Sequence, residues 1–322
     1  MRSAGRAFCS IVRAIVFDRN GGTEVLEPRD MPEPMPGDGE VLVEVESVGV
    51  NYRDVYERRG GYGSPPPAIL GVEGAGTVVE TAERVAWVNV PGSYAERVAA
   101  PRDRLVPVPD AVSSDSAAAA ALQGMTAHYL AADSYPIEPG DWVLVHAAAG
   151  GVGLLLTQIA KLREGRVIAT TSTDEKAELA RAAGADEAIG YEGFAQRVRD
   201  ITGGEGVAAV YDGVGRTTFL EGLKALRPTG RMILYGAASG QPEPLDTAAL
   251  AAAGSLYVQR PTLGTYTRTP ELLRTLGQAV FHLVGAGKLD VRIGERYPLE
   301  DARRAHEDLE SRRTTGKLLL VP

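Results

Sequence analysis

The sequence predicts an α/β protein in which a β-rich first third precedes a doubly wound parallel sheet of six strands. Three observations predict this fold class. The first third alternates apolar and polar residues, as in residues 40–50, and is divided by Gly and Pro. From about residue 140, strand and helix patterns alternate, which is typical of a parallel sheet with helices on both faces. The chain of 322 residues is long enough for two domains.

The first third contains short strands joined by tight turns. The stretch "VRAIVF" predicts a first strand, and residues 1–10 are expected to be a ragged extension before it. The alternation in "EVLVEVESVGV" predicts a half-buried strand, while "GAGTVVE" and "RVAWV" predict two more, joined by a hairpin at residues 81–83. A helix follows at "SSDSAAAAALQG", where Ser113 or Ser114 can act as the N-cap.

The second part of the chain alternates strands with helices. We expect strands at residues 142–146, 166–171, 187–190, 207–212, 230–236 and 255–259. We expect helices near residues 152–163, 174–183, 193–202, 216–226 and 246–253. In a doubly wound sheet of this kind, a ligand binds beside the carboxyl end of the first strand. The tail adds helices at about 270–286 and 299–311 and a closing strand, "KLLLV".

The first strand of the predicted sheet ends in a glycine-rich turn within "HAAAGGVGLLLTQIAKL". Ala148 takes the first position of a Gly-x-Gly-x-x-Gly pattern, while Gly150 and Gly153 keep the other two. Backbone N–H groups at such a helix N-terminus attract an anion. The alternative is a turn that only lets strand and helix pack closely. The position of the motif, at the start of the alternating pattern, favours dinucleotide binding and hence a Rossmann domain.

The end of the second strand indicates which dinucleotide binds. NAD enzymes place an acidic residue there, but residues 169–173, "ATTST", contain none. Ser172 and Glu175 have the spacing of a capping box, which explains the nearby acids structurally. Lys176 follows one turn into the helix, close enough to reach a 2′-phosphate. We therefore expect NADPH, with a solvated helix lysine as the alternative for Lys176.

Composition excludes several classes of function. The net charge of −8 argues against a nucleic-acid partner, which needs clustered Lys and Arg. Cys9 is the only cysteine, so an internal disulfide and a site of several thiolates are excluded. The sequence contains no apolar run of the roughly 18 residues that a membrane helix needs, and we expect a cytoplasmic protein. Four histidines are expected to be structural: His128, His146, His282 and His306.

From about residue 12 to Pro322, the chain resembles the zinc-free medium-chain dehydrogenase/reductases, in particular the quinone oxidoreductases related to zeta-crystallin. The resemblance is carried by "GVNYRDVYERRGGY", "GVEGAG", "GSYAE", "LQGMTAHYL", "HAAAGGVG", "VYDGVG", "GSLYVQRPTL" and "RYPLEDARRAHEDLESRRTTGKLLLVP". It implies a GroES-like catalytic domain of residues 1–125 and 264–322 and an NADPH-binding Rossmann domain of residues 126–263.

The resemblance also implies a set of cofactor-binding residues. Those near the nicotinamide and the phosphates are Thr126, Tyr129, Gly150, Gly151, Val152, Gly153, Ser172, Thr173, Lys176 and Tyr191. Those in later loops and in the tail are Gly215, Gly236, Ala237, Ala238, Pro261, Thr262, Leu263 and Arg312. In two respects the chain departs from its relatives. Val72 stands between Gly71 and Glu73 where zinc-dependent relatives have histidine, so we expect no metal, and the segment before "RVAW" is shorter than usual.

Hydride transfer without a metal needs hydrogen-bond donors for the oxygen that becomes negative. The candidates are Asn51, Tyr56 and Tyr62, which match the substrate-side residues of the family. As alternatives, Asn51 can be a turn former and Tyr56 a half-buried packing residue. Arg260 can orient a substrate or pair with a carboxylate.

These observations predict an NADPH-dependent quinone oxidoreductase that acts on small quinones or enones. A 2-enoyl thioester reductase is the nearest alternative, because it shares the fold, the cofactor and a tyrosine at the position of Tyr62. A crystallin-like protein that binds NADPH with little turnover is an alternative of another class. The resemblance further implies a homodimer that pairs through "GSLYVQ".

Overall fold

The computed structural model describes residues 10–61, 63, 65–311 and 313–322. They form two compact units. The first comprises the chain up to Ala121 together with Ile293–Thr314 and Leu318–Pro322, and the second comprises Leu122–Arg292 and Thr315–Lys317.

The strands and helices are numbered along the chain. The strands are β1 (Ile11–Phe17), β2 (Glu27–Pro32), β3 (Glu40–Val50), β4 (Ala68–Ile69), β5 (Glu73–Val78), β6 (Arg84–Val88), β7 (Arg97–Pro101), β8 (Leu105–Pro107), β9 (Trp142–Val145), β10 (Arg166–Thr170), β11 (Glu187–Ile189), β12 (Val207–Asp212), β13 (Leu226–Leu234), β14 (Tyr257–Gln259), β15 (Ile293–Pro298) and β16 (Lys317–Val321). The helices are α1 (Tyr52–Arg58), α2 (Ser114–Tyr129), α3 (Gly151–Leu162), α4 (Asp174–Ala182), α5 (Phe194–Ile201), α6 (Phe219–Ala225), α7 (Thr247–Ala252), α8 (Leu263–Tyr266), α9 (Pro270–Gly285) and α10 (Ala302–Glu310).

The first unit is built mainly of antiparallel strands. Among its described residues, seven strands form a sheet in the order β15-β16-β3-β5-β6-β8, with β7 also paired to β3, and β2-β1-β4 form a smaller sheet. Its core includes Phe17, Val43 and the fully buried Trp87. The predicted hairpin between β5 and β6 is confirmed: Val78 N donates to Glu83 O at 2.9 Å, and Ala82 turns the chain with φ of 58°.

The second unit contains the predicted doubly wound sheet. Within the described residues its strands are parallel in the order β11-β10-β9-β12-β13-β14, so β9 lies at the centre with β10 and β12 on either side. This order places a switch point at the carboxyl end of β9. Most predicted bounds are correct to within two residues. β13 begins earlier than expected, because Leu226 already pairs with Val207 before a shift in register.

The compact units divide the tail differently from the predicted domains. The expected boundary at residue 263/264 would place α9 with the GroES-like domain, but α9 belongs to the second unit. Gln158 on α3 explains part of this difference, since its side chain donates to Asp290 O at 3.0 Å and accepts from Asp290 N at 2.7 Å. This pair of bonds joins the segment after α9 to α3.

Candidate active site

The turn between β9 and α3 leaves the first backbone N–H groups of the helix without a side-chain cap. Gly150 is the N-cap residue and has an extended backbone, and the first turn of α3 contains no acidic residue. Gly150 N donates to Ala147 O at 2.9 Å, which closes the turn. Three or four N–H groups at the start of a helix have no partner within the helix, and together with the helix dipole they favour an anion there. The turn therefore has a geometry that suits an anion, and its role in binding a phosphate stays a prediction.

Two glycines of this turn have close neighbours, and at Gly153 the neighbours are backbone atoms that leave no room for a side chain. A Cβ atom on Gly153 would lie 2.5 Å from Ala147 O and 2.7 Å from Ala148 Cα, which are backbone atoms. A Cβ atom on Gly151 would lie 1.9 Å from Gln123 Oε1. Gln123 therefore packs its carboxamide directly on the phosphate turn, and sequence reasoning missed it because α2 is distant from the turn in sequence.

The buried side chain of His146 supports the turn that follows it. His146 Nδ1 lies 2.8 Å from Thr170 Oγ1, and the imidazole packs edge-on against Phe194, with ring centroids 4.7 Å apart. Burial lowers the pKa of His146 to about 4, so the ring is neutral near pH 7. The expectation that His146 is structural agrees with this environment.

The end of β10 carries the residues expected at the 2′-phosphate. Ser172 and Thr173 are exposed and Lys176 is half-buried. The predicted capping box of Ser172 and Glu175 is wrong: Thr173 is the N-cap of α4, and its hydroxyl accepts from Lys176 N at 3.3 Å. The helix begins at Asp174, as its predicted bounds have it, and Ser172 lies outside the cap. Ala148 N donates to Thr170 O at 3.2 Å, so the phosphate turn and the end of β10 are adjacent.

Tyr191, after β11, contacts the phosphate turn directly. Its hydroxyl accepts from Ala147 N at 3.0 Å, and its ring lies nearly parallel to that of His146, with centroids 6.1 Å apart. Ala147 has a φ of 51°, in the left-handed region that is unfavourable for a residue with a side chain. The tyrosine hydroxyl therefore satisfies the N–H of a strained residue and joins the loop after β11 to the loop after β9.

A buried carboxylate fixes the loop after β12, and a backbone hydrogen bond joins that loop to the one after β13. Asp212 Oδ1 accepts from Val214 N at 2.7 Å and Gly215 N at 2.9 Å, and Oδ2 accepts from the Thr218 hydroxyl at 2.8 Å. Ala238 N donates to Gly213 O at 3.1 Å. These bonds place three expected cofactor residues at the carboxyl edge of the sheet: Gly236, Ala237 and Ala238.

Two stacked tyrosines lie at the end of α2 and on α8. The rings of Tyr129 and Tyr266 are nearly parallel at 4.0 Å, and the Tyr266 hydroxyl lies 3.1 Å from Ser134 Oγ. Burial raises the pKa of Tyr129, so its phenol stays protonated. Thr126, one turn earlier on α2, donates its hydroxyl to Leu122 O at 2.7 Å.

Arg260, which precedes the expected residues Pro261, Thr262 and Leu263, supports the backbone rather than a carboxylate. Its Nη1 donates to Leu234 O at 2.6 Å and to Gly236 O at 3.4 Å. Neither of the roles expected for this guanidinium, substrate orientation or pairing with a carboxylate, is seen in these bonds.

In the first unit, Asn51 and Tyr56 lie at the start and in the middle of α1. Asn51 is the N-cap of the helix and is buried. Its Nδ2 donates to Gly49 O at 3.1 Å and to Glu73 Oε2 at 2.8 Å. Tyr56 is half-buried, and its ring lies 6.3 Å from that of Tyr52.

Two expected site residues, Tyr62 and Arg312, lie outside the described residues. Within the second unit, Gly316 N donates to Ala149 O at 3.3 Å. Among the described residues, no group of three or more His, Cys, Asp and Glu side chains could hold a metal ion. The described helices also include none that is both long and apolar enough to cross a membrane.

A doubly wound sheet with an uncapped glycine-rich turn, on a chain that also carries a β-rich unit, is typical of a nucleotide-dependent oxidoreductase. Two family models match the chain: residues 151–278 match the zinc-binding dehydrogenase model, and residues 37–110 match the alcohol dehydrogenase GroES-like domain. The predicted GroES-like and Rossmann folds are thereby confirmed.

Characterised relatives are similar over nearly the full length. Quinone oxidoreductase of Pseudomonas aeruginosa is 41% identical and covers 97% of this chain and 100% of its own. Quinone oxidoreductase 1 of Escherichia coli is 39% identical, with 96% and 99% covered. The 2-haloacrylate reductase of a Burkholderia species is 36% identical, with 97% and 99% covered.

Solved structures agree with these sequence relatives. Mycobacterial Rv1454c complexed with NADPH has a TM-score of 0.94 and 45% identity, with 97% of this chain and 100% of that chain covered. Escherichia coli quinone oxidoreductase complexed with NADPH has a TM-score of 0.94 and 38% identity, with 96% and 100% covered. The chain belongs to the quinone oxidoreductases of the medium-chain dehydrogenase/reductase family. The predicted family is confirmed, and neither the enoyl thioester reductase nor the low-turnover alternative is favoured.

Proposed function

We propose that this protein is an NADPH-dependent quinone oxidoreductase that transfers hydride to small quinones without a metal ion. The observation that carries the proposal is the α3 N-terminus, whose first-turn N–H groups lack a side-chain cap and an acidic neighbour. It is supported by two structural neighbours that are complexed with NADPH. Bound NADPH supplies a hydride, and with one proton from solvent this converts a quinone to a hydroquinone.

The residues of the second unit fit NADPH. We assign the pyrophosphate to the turn of Gly150–Gly153, where backbone donors and the helix dipole neutralise negative charge. We assign the 2′-phosphate to Ser172, Thr173 and Lys176, since two exposed hydroxyls and an ammonium group can bind it without a competing carboxylate on β10. In this proposal Tyr191 holds the turn through Ala147 N, and Arg312 contributes a second positive charge.

The first unit supplies the groups for the substrate. The Asn51 amide nitrogen donates to Gly49 O and to Glu73 Oε2, so we assign Asn51 a positioning role at the substrate. We assign the hydrogen bond to the developing oxyanion to the phenols of Tyr56 and Tyr62. Quinones need little electrophilic help, which fits a site that offers hydrogen bonds alone.

We propose that no zinc takes part. Val72 occupies the position of the ligand histidine of zinc-dependent relatives, and the full chain contains one cysteine. The similarity to 2-haloacrylate reductase supports a second class of acceptor, the activated α,β-unsaturated carbonyls.

We also propose a homodimer that pairs through β14. This edge strand exposes apolar side chains, with Tyr257 58% and Val258 39% exposed. Exposed apolar groups on a free strand edge favour pairing with a second copy. An enzyme that consumes NADPH works where that nucleotide is regenerated, so we propose a cytoplasmic location.

An acceptor panel tests the proposal. Purified protein is supplied with NADPH or NADH and with 1,2-quinones, 1,4-quinones, enones and crotonyl thioesters, while nucleotide binding is followed by fluorescence. We expect NADPH oxidation with quinones, slower reaction with enones, and little with NADH. Preference for crotonyl thioesters, or binding without oxidation by any acceptor, would contradict the proposal.

A further inference from the structure

A chain of hydrogen bonds inside the first unit connects α10 with the start of α1. Its members are Asp54 and Arg58 on α1, Tyr94 before β7, and His306 and Glu310 on α10. All but Glu310 are completely buried. Buried charges and polar groups are costly, and an apolar replacement is often as stable, so this arrangement calls for a reason other than stability.

The hydrogen bonds of this chain are donated in one direction, from Arg58 through His306 and Tyr94 to Asp54. A guanidinium group can only donate, so Arg58 Nη1, 3.4 Å from His306 Nδ1, makes that nitrogen an acceptor without hydrogen. A neutral imidazole then carries its hydrogen on Nε2, which lies 3.1 Å from the Tyr94 hydroxyl. The hydroxyl accepts this bond and donates its own hydrogen to Asp54 Oδ2 at 3.0 Å.

The ionisation of the groups agrees with this direction. Burial, together with the positive charge of Arg58, lowers the pKa of His306 to about 3, so the ring is neutral. Burial and the neighbouring Asp54 raise the pKa of Tyr94 well above its usual value, so the phenol keeps its hydrogen. At the far end, Arg58 Nη2 donates to Glu310 Oε1 at 2.5 Å. Arg58 Nη1, Arg58 Nη2, His306 Nε2 and the Tyr94 hydroxyl thus each have one acceptor, whereas the buried Arg58 Nε has none among the described residues.

The chain ends on Asn51. Asp54 Oδ2 also accepts from Asn51 N at 2.8 Å, which fixes the backbone of the N-cap residue of α1. The side chain of Asn51 is fixed separately by Glu73. The position of Asn51, and with it the direction in which α1 presents Tyr56, therefore depends on a carboxylate that is itself held by Tyr94.

We propose that Tyr94 and His306 are positioning residues for quinone reduction, acting through Asp54 on Asn51 and α1. This inference rests on the proposed function, because Asn51 and Tyr56 are the substrate-side residues assigned there. Neither Tyr94 nor His306 touches the substrate in this proposal.

Tyr94→Phe with a matched control tests the inference. The substitution must keep the aromatic ring, because the Tyr94 ring packs directly against Gly71. A Cβ atom added to Gly71 would lie only 2.1 Å from Tyr94 Cδ1. The control is Tyr297→Phe: this tyrosine is 4% exposed and donates to Asp308 Oδ2 on α10 at 2.8 Å, but its bond does not lead to α1.

The measurements are kcat with a 1,4-quinone, KM for quinone and for NADPH, and Tm. For Tyr94→Phe we expect kcat to fall about 10-fold, as for loss of a hydrogen bond to a charged group, with KM for NADPH unchanged. For Tyr297→Phe we expect a similar loss of Tm with unchanged kcat. Equal effects of the two variants on kcat would overturn the inference.

His306 provides a rescue experiment. His306→Gln keeps one donor and one acceptor, whereas His306→Leu keeps neither. We expect the Gln variant to retain most of the wild-type kcat, the Leu variant to match Tyr94→Phe, and the double variant His306→Leu, Tyr94→Phe to be no worse than either. Equal kcat values for the Gln and Leu variants, or additive losses of kcat in the double variant, would refute the proposed role of this chain of hydrogen bonds.

Nitrogen NMR of histidine-labelled protein gives a readout independent of activity. We expect His306 to carry hydrogen on Nε2 and none on Nδ1 between pH 5 and 8, and a hydrogen on Nδ1 would overturn the assignment. Loss of the proposed function itself would show differently: the wild-type protein would then fail to reduce quinones, whatever the variants do.

Discussion

Replacing Gly153 by Ala tests whether the phosphate turn depends on close contact between β9 and α3. The new Cβ atom would lie 2.5 Å from Ala147 O, 2.7 Å from Ala148 Cα and 2.8 Å from Ala148 O. Contacts under 3.0 Å essentially never occur, and these are backbone atoms that cannot rotate away. The turn must therefore move by about 0.5 Å or more relative to the helix, which we expect to cost about 1–3 kcal/mol of unfolding free energy.

The same displacement moves the N–H groups that bind the pyrophosphate. We expect KM for NADPH to rise several-fold, with a smaller change in KM for quinone, in steady-state assays run beside urea unfolding. Gly190→Ala is the matched control, because its Cβ atom would meet nothing within 4 Å, and we expect it to change neither quantity. Wild-type stability and wild-type KM in Gly153→Ala would refute the argument.

Three further predictions concern cofactor choice, catalysis and pH. Lys176→Ala should raise KM for NADPH about 10-fold or more and leave KM for NADH nearly unchanged, and an equal effect on both would remove its phosphate role. Tyr62→Phe should lower kcat without changing NADPH affinity by fluorescence titration, and an unchanged kcat would return Tyr62 to a packing role. The unfolding free energy should fall as pH drops from about 6.5 toward 4. In the folded protein His146 and His306 stay neutral, because their pKa values are lowered to about 4 and about 3. In the unfolded chain the same imidazoles take up protons near pH 6.5, which favours unfolding. Urea unfolding midpoints between pH 7 and pH 4.5 measure this loss of stability, of which His146 contributes at most roughly 3 kcal/mol. Midpoints that do not change with pH would contradict the prediction.

Local patterns in the sequence were sufficient for the strands and helices of the doubly wound sheet and for the glycine-rich turn after β9. Each strand–helix unit has its own apolar period, and right-handed connections between parallel strands leave few possible sheet orders. Gly150 and Gly153 could be interpreted because their positions relative to β9 and α3 are fixed within a few residues. The same reasoning placed the closing strand β16 at its observed bounds.

Features that depend on distant contacts were not predictable. Tyr94 and His306 are separated by 212 residues, and no local pattern connects them. The apolar period of α9 predicts a helix but not the unit on which it packs. Ser172 and Thr173 both have hydroxyls suited to an N-cap, and only the backbone conformation decides that Thr173 caps α4.

The central claim is that NADPH bound at the turn before α3 reduces a quinone without zinc. Turnover of NADPH with a small 1,4-quinone, measured on protein treated with a strong chelator and checked for metal content, tests it most directly. The account predicts full activity of the metal-free protein, one hydroquinone per NADPH oxidised, and much slower turnover with NADH. Activity that disappears on chelation and returns with zinc, or equal rates with NADH, would contradict it.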